Sequence, residues 1–195
     1  TAANAIVLQY TAPIFVILLS MILLRRRPGR LDLAACAVVL GGIVLCFADS
    51  LAGGGLGGDV LALISGLTYA GVFMMSDMPD SDGISSAFWG HLISAAVGLP
   101  FLAVETDFSL TPVVSLLVLG VFQVGLAFIF LTEGLKTTPS VMASLVSGIE
   151  PVLNPILVAV FYHETMGPLA LAGAAVVIVG VVGYNVLLAR QRVAA

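Results

Sequence analysis

The side chains able to do chemistry in this sequence are few, and several gather between Ser140 and Tyr162. That stretch reads SVMASLVSGIEPVLNPILVAVFY. It is apolar nearly throughout and long enough to cross a bilayer. Glu150 stands near its midpoint, Pro151 follows, and Asn154 and Pro155 come one turn later. A carboxylate at the centre of a span costs about 2.5–3.5 kcal/mol on insertion scales and usually serves a function. Neither proline has an N–H to donate, so the carbonyls of Ser147 and Pro151 lose their helical partners. A charge, a kink and freed carbonyls therefore coincide at Glu150. On a helix, Ser140, Ser144, Ser147, Pro151 and Asn154 form one stripe with Glu150 on its edge. Facing lipid, such a stripe would be expensive, so it should face the protein interior or a water-filled cavity. A substrate or proton site would use it. Serines that merely bond across helices, or back to their own helix, would produce the same stripe.

Other candidates are thinner. The first apolar stretch carries Gln9, Tyr10, Thr11 and Pro13, with Asn4 two turns before Thr11. His91, with Trp89 close by in sequence, is the one histidine inside an apolar stretch and could titrate near neutral pH. A packed neutral histidine would look the same. Thr68, Tyr69 and Gln123 could line a cavity, although aromatics in spans more often pack or sit at interfaces. Ala62, Gly66 and Ala70, spaced by four, let another helix approach closely. Cys36 and Cys46 read as small packing residues rather than a metal pair. Glu133 and Lys136 read as an ordinary i,i+3 pair, and Arg25, Arg26 and Arg27 as topology determinants.

The elements that must position these residues follow from composition. Of 195 residues, 60% are hydrophobic and 9% charged, against about 25% charged in soluble domains. Mean hydropathy is +1.17, so the chain is expected to be an all-α integral membrane protein. Seven spans can be drawn: Ala2–Leu24, Leu31–Asp49, Asp59–Asp77, Ile84–Val104, Pro112–Leu135, Pro139–Tyr162 and Pro168–Ala189. The linkers between them carry turn chemistry, such as RRRPGR and MPDSDG. The first stretch lacks a basic flank and a cleavage motif and is expected to be a span, not a signal peptide.

Charge supports that count. Arg25, Arg26, Arg27 and Arg30 follow the first span, Lys136 the fifth, and Arg190 and Arg192 the seventh. With seven spans all of them fall on one side, and the other side has no Lys or Arg. The basic side is expected to be cytoplasmic, with the C-terminus inside.

An internal repeat gives the spans an order. Shifting the sequence by 138 positions lays Pro13 on Pro151, Gly29 on Gly167 and Gly42 on Gly180 without a gap. Leu31, Leu33, Ala34, Ala37, Val38 and Val39 fall on Leu169, Leu171, Ala172, Ala175, Val176 and Val177 in the same frame. Spans one and two then correspond to spans six and seven, which makes the unit five helices. Five is odd, so successive units enter the membrane from opposite faces, the inverted-repeat design of secondary transporters. Residues 1–49 would be the last two helices of a first unit, 50–58 a linker, and 59–195 a whole second unit. The intact protein is expected to have ten helices in a 5+5 arrangement, three of which would precede this chain. The two-fold relation would bring Gln9, Tyr10 and Thr11 against the Glu150 segment near the midplane. The halves are not chemically equal: Ala12 falls on Glu150, Arg26 on Glu164 and Gln9 on Ser147.

The segments TAANAIVLQYTAPIFVILLSMILL and TTPSVMASLVSGIEPVLNPILVAVFYHETMGPLALAGAAVVIVGVVGY resemble the drug/metabolite transporter superfamily, EamA type. Its pattern is a small-residue start, a mid-helix Glu-Pro or bare Pro, a Glu at the helix exit, and a Gly-containing next helix. Glu150-Pro151, Glu164, Gly173 and Gly180 fit it. Ala12 and Arg26 in the first unit depart from it, which puts a paired-carboxylate mechanism in question. The resemblance implies ten helices, cytoplasmic termini, and transport, often export, of small metabolites.

Other classes lack their residues. The sequence has no phosphate-binding loop of the ATP-driven kind, no His/Cys cluster for a metal, and no lysine in the last span for a retinal Schiff base. Neither a catalytic group nor a cofactor is expected. The expected partners are the lipid bilayer, a small-molecule substrate, protons as candidate coupling ions, and the three preceding helices of the same protein. Nucleic acid is not among them. The expected function is a secondary transporter of the cell's inner membrane that exports or exchanges small solutes by alternating access. The alternative is a non-transporting scaffold whose polar stripe only packs helices.

Overall fold

The computed structural model describes residues 2–51, 55–106, 108–162 and 167–194. Among these residues every regular element is helical. In chain order they are α1 (Ala2–Gln9), α2 (Ala12–Leu23), α3 (Arg30–Cys46), α4 (Leu56–Met74), α5 (Gly83–Leu102), α6 (Leu110–Val118), α7 (Ala127–Leu135), α8 (Ser140–Ser147), α9 (Glu150–Tyr162) and α10 (Pro168–Ala194). A π-helical segment, Leu119–Leu126, joins α6 to α7 without a break.

Local chemistry sets the ends. Pro13 sits in the first turn of α2, where its missing N–H leaves no helical bond unmade. Arg25, with φ of 52°, takes the left-handed conformation that turns the chain out after α2. Asp32 Oδ2 accepts the Gly29 N–H at 2.9 Å and closes the start of α3. Asp82 caps α5 by accepting the Ser85 N–H at 2.8 Å.

Five helices among the described residues are long and apolar enough to cross a membrane: Ala3–Leu23, Leu56–Asp77, Gly83–Leu102, Leu110–Leu135 and Pro168–Gln191. They correspond to expected spans one, three, four, five and seven. The other two expected spans differ for separate reasons. The second is a helix of 17 residues, about 25 Å long, followed by a 3₁₀ turn at Ala48–Ser50. The sixth is interrupted at Gly148 and Ile149, which leaves helices of 8 and 13 residues.

The chain divides into two compact units, residues 1–74 with 139–195, and residues 75–138. The core of the first unit joins Tyr10, Ile17, Val39 and Ile43 to Leu145, Val152, Val177 and Val181. Its closest helix pair is α3 with α10, and glycine permits the approach. A Cβ on Gly173 would lie 2.3 Å from the Cys46 nitrogen, and one on Gly42 would lie 2.7 Å from Val177. A Cβ on Gly180 would meet Val38 at 2.8 Å and Val39 at 3.4 Å. Tyr184 on α10 donates its hydroxyl to Asp32 Oδ1 on α3 at 2.7 Å. Both cysteines are free and buried on α3. In the same unit α4 presses Gly66 against the end of α1, where a Cβ would lie 2.9 Å from the Gln9 carbonyl.

The second unit consists of α5 and the continuous helix Leu110–Leu135. Neither α5 nor α6 has a buried residue. Their apolar side chains point outward, as suits helices whose solvent is hydrocarbon.

Candidate functional site

Two interruptions in the first unit build the site. One falls at Tyr10 and Thr11, between α1 and α2, just ahead of Pro13. The other falls at Gly148 and Ile149, between α8 and α9, just ahead of Pro151. Proline removes the helical donor for the carbonyl four residues back, so Gln9 and Ser147 are relieved of an ordinary helical bond. At the first interruption the Thr11 hydroxyl donates to the Leu8 carbonyl at 2.6 Å. Gly66 of α4 lies against the same carbonyls, with Thr11 Oγ1 beside it.

Tyr10 and Glu150 meet here. The Tyr10 hydroxyl donates to Glu150 Oε2 at 2.8 Å, across 140 positions of sequence. Tyr10 is buried, whereas Glu150 at the start of α9 remains exposed. Tyr69 of α4 packs edge-on to the Tyr10 ring at 6.2 Å and tilts onto Phe73 at 4.7 Å. Three elements of one unit thus meet here: the α1–α2 interruption supplies Tyr10, α9 supplies Glu150, and α4 sets Tyr69 against the Tyr10 ring.

The remaining candidates are placed as follows. Ser144 is fully buried, and its hydroxyl donates to the Val141 carbonyl at 2.8 Å. Ser147 donates to the Ser144 carbonyl at 2.7 Å. Asn154 is exposed on α9, one turn beyond Glu150. Gln9, the last residue of α1, is partly buried. Pro13 and Pro151 are buried. Pro155 lies within α9, and its side chain falls outside the described residues, as does Glu164 altogether.

His91 and Trp89 belong to the second unit, on α5. The His91 Nδ1 faces the Ala87 carbonyl at 2.6 Å, so Nδ1 carries the proton there. The His91 ring packs edge-on to Phe128 at 4.5 Å. Trp89 is exposed and stands edge-on to Phe88. A cavity of about 340 Å³ runs beside His91, floored by Gly120 and Gly125 of the π-helical segment and bounded by Ile84, Phe88 and Thr132. In this unit Glu133 pairs with Lys136, and its hydrogen bond and charge hold the Lys136 ammonium above the usual lysine range.

Tyr69 is a candidate whose place beside Tyr10 the sequence alone did not give. Its only signal was position: it neighbours Ala70 on the Ala62, Gly66, Ala70 ladder that lets α4 approach. All three of those small residues are buried. A helix drawn that close carries its neighbouring aromatic to the same place.

Comparison with known proteins agrees with this arrangement at the level of fold and family. The family model described as the EamA-like transporter family matches residues 1–48 and 56–186. A solved structure titled only "Crystal structure of protein" superposes with a TM-score of 0.73 at 20% identity. The match covers 97% of this chain and 68% of that one. No curated protein matches.

Proposed function

Because the chain belongs to the EamA-like transporter family, a family of multi-pass membrane transporters of small solutes, we propose that it is a secondary transporter working by alternating access around Glu150. The observation that carries this reading is the state of that carboxylate. It is held by Tyr10 at 2.8 Å and flanked by two helix interruptions. It is also exposed, together with Asn154, rather than sealed in a dry contact. A charged group at membrane depth would not be left open to lipid. It would line a water-filled path or meet further helices of the same protein.

We propose seven spans for this chain, within ten helices of two inverted five-helix units. Two features support the repeat. Under the shift of 138 positions, the interruption at Tyr10 and Thr11 falls on the one at Gly148 and Ile149. Under the same shift the contact of Gly42 with Val177 becomes that of Gly180 with Val39. Reciprocal contacts of this kind are what a two-fold axis produces. The proposed location is the cell's inner membrane, with the basic linkers and the C-terminus in the cytoplasm.

The test is solute flux into proteoliposomes containing the full-length protein, with Glu150→Gln alongside. Lost flux, or a lost dependence of flux on pH, is expected for the variant. Unchanged flux with unchanged pH dependence would remove Glu150 from the mechanism. Residues 1–195 alone are expected not to transport.

A second reading, a scaffold whose polar stripe only joins helices, draws on one observation. The hydroxyls of Ser144 and Ser147 donate to their own helix. Flux by the full-length protein would rule it out.

A further inference from the structure

The second unit holds a cavity of its own, built without Glu150. It lies between one face of α5 and the helix that runs from the π-helical segment into α7. Its volume of about 340 Å³ falls within the range of small-molecule sites. Two glycines make the hollow. Gly120 and Gly125 present no side chain to it, and a Cβ on Gly120 would meet nothing within 4 Å. π-Helical turns are rare and gather at functional positions, and this segment runs for 8 residues. Phe88 borders the cavity and is 61% exposed, so the hollow is open at that edge and an apolar molecule can enter it from hydrocarbon.

The lining selects the ligand. Among the described residues no Asp, Glu, Lys or Arg borders the cavity, so a charged solute would enter without a partner, at high cost. Phe88, Phe128 and the His91 ring supply aromatic walls, and His91 already stands edge-on to Phe128 at 4.5 Å. Such walls favour a further ring, packed edge-on or offset. Two of the lining side chains are polar. The Thr132 hydroxyl donates to the Ile129 carbonyl at 3.0 Å. The His91 Nδ1–H donates to the Ala87 carbonyl at 2.6 Å. His91 Nε2 is then a bare acceptor, with no partner among the described residues. An acceptor set among apolar walls favours a ligand that brings a donor to it. We propose that this cavity binds an uncharged arene carrying a hydroxyl, whose O–H donates to His91 Nε2 while its ring packs against Phe88 and Phe128.

The test is binding of radiolabelled 2-naphthol at neutral pH to the full-length protein in phosphatidylcholine nanodiscs, with uptake by empty nanodiscs subtracted. Competitors are 2-methoxynaphthalene, which keeps the rings and lacks the donor, and 2-naphthoate, an anion of similar size. Saturable binding is expected, about fivefold weaker for the methyl ether and absent for the anion. His91→Phe keeps a ring and loses the acceptor. It should weaken 2-naphthol by about fivefold and leave the ether unchanged, which erases the preference. Gly120→Leu fills the hollow and should abolish binding of both arenes. Gly98→Leu is the same change on α5 where a Cβ also meets nothing within 4 Å but outside the lining, and it should leave both unchanged. Nitrogen NMR of isotope-labelled histidine should show the His91 Nε2 resonance moving with 2-naphthol and staying with the ether.

Equal affinity for the two arenes would overturn the proposal, because the cavity would then be an apolar slot indifferent to His91. A preference kept in a folded His91→Phe variant, or full binding in a folded Gly120→Leu variant, would overturn it too. So would the absence of saturable binding above empty nanodiscs.

Discussion

Tyr10 reaches Glu150 because the chain leaves the helix at positions 10 and 11, ahead of Pro13, and because Gly66 admits α4 behind it. At this scale the sequence was most informative for the carboxylate and least for its partners. Glu150 stands out from any apolar stretch, and Tyr10 could be set opposite it by the repeat alone. Tyr69 could not, since a tyrosine in a span carries no mark of what it faces. The second unit offers a residue whose behaviour can be predicted from charge. Hydrogen bonds from Ser85, its side chain first and its backbone second, hold the Asp82 carboxyl below the usual carboxylate range. A carboxyl whose value is lowered by folding adds stability above its unfolded value, and that stability disappears as pH falls through the folded value. Amide exchange at residues 83–86, measured relative to its intrinsic rate, should therefore quicken on acidification below the usual carboxylate range. In Asp82→Ala it should be fast already at neutral pH, with the rest of the chain unaffected. Equal protection in that variant would show that the cap does not hold α5.

At the scale of elements, two kinds of residue shape the first unit: prolines that interrupt helices and glycines that let them touch. The glycines make a sharp prediction. A methyl on Gly173 would strike the backbone of Cys46 at 2.3 Å, whereas Gly41, one residue before the tight contact at Gly42, has nothing within 4 Å. Gly173→Ala should destabilise the protein by about 1–3 kcal/mol, as overpacking does. Gly41→Ala should be neutral, or stabilising by up to about 1 kcal/mol from helix propensity. Thermal unfolding in one detergent compares the two. Equal midpoints would mean that α3 and α10 do not rely on this contact. The prolines explain why the expected sixth span is two helices. Pro151 denies Ser147 its helical donor, and Gly148 follows directly.

At the scale of the molecule, the apolar surface and the basic linkers make one prediction together. Single cysteines at Thr106, Lys136 and Arg190, in a background lacking Cys36 and Cys46, should label asymmetrically in intact cells. A membrane-impermeant maleimide should reach Thr106→Cys from outside, and Lys136→Cys and Arg190→Cys only after the membrane is opened. Labelling of positions 106 and 136 from the same side would overturn the seven-span order, because one span, through Leu110–Leu135, is drawn between them.

Composition and the length of its apolar runs made this a helical membrane chain, because a 60% hydrophobic chain with few charges, in apolar runs of about 20 residues, satisfies its backbone in lipid within each helix. The motifs carried the family as well. Prolines and glycines are readable in sequence because their effects are local: one lacks an N–H, the other a Cβ. What only the tertiary structure decided is which groups face Glu150. That depends on how far α4 slides toward the α1–α2 interruption, and on the rotation of a tyrosine about a backbone that is no longer helical. Neither is local, since each is the outcome of packing among helices far apart in the sequence. The hydrogen bond between Tyr10 and Glu150 joins positions that the linear sequence separates by 140, and only the fold brings them to 2.8 Å.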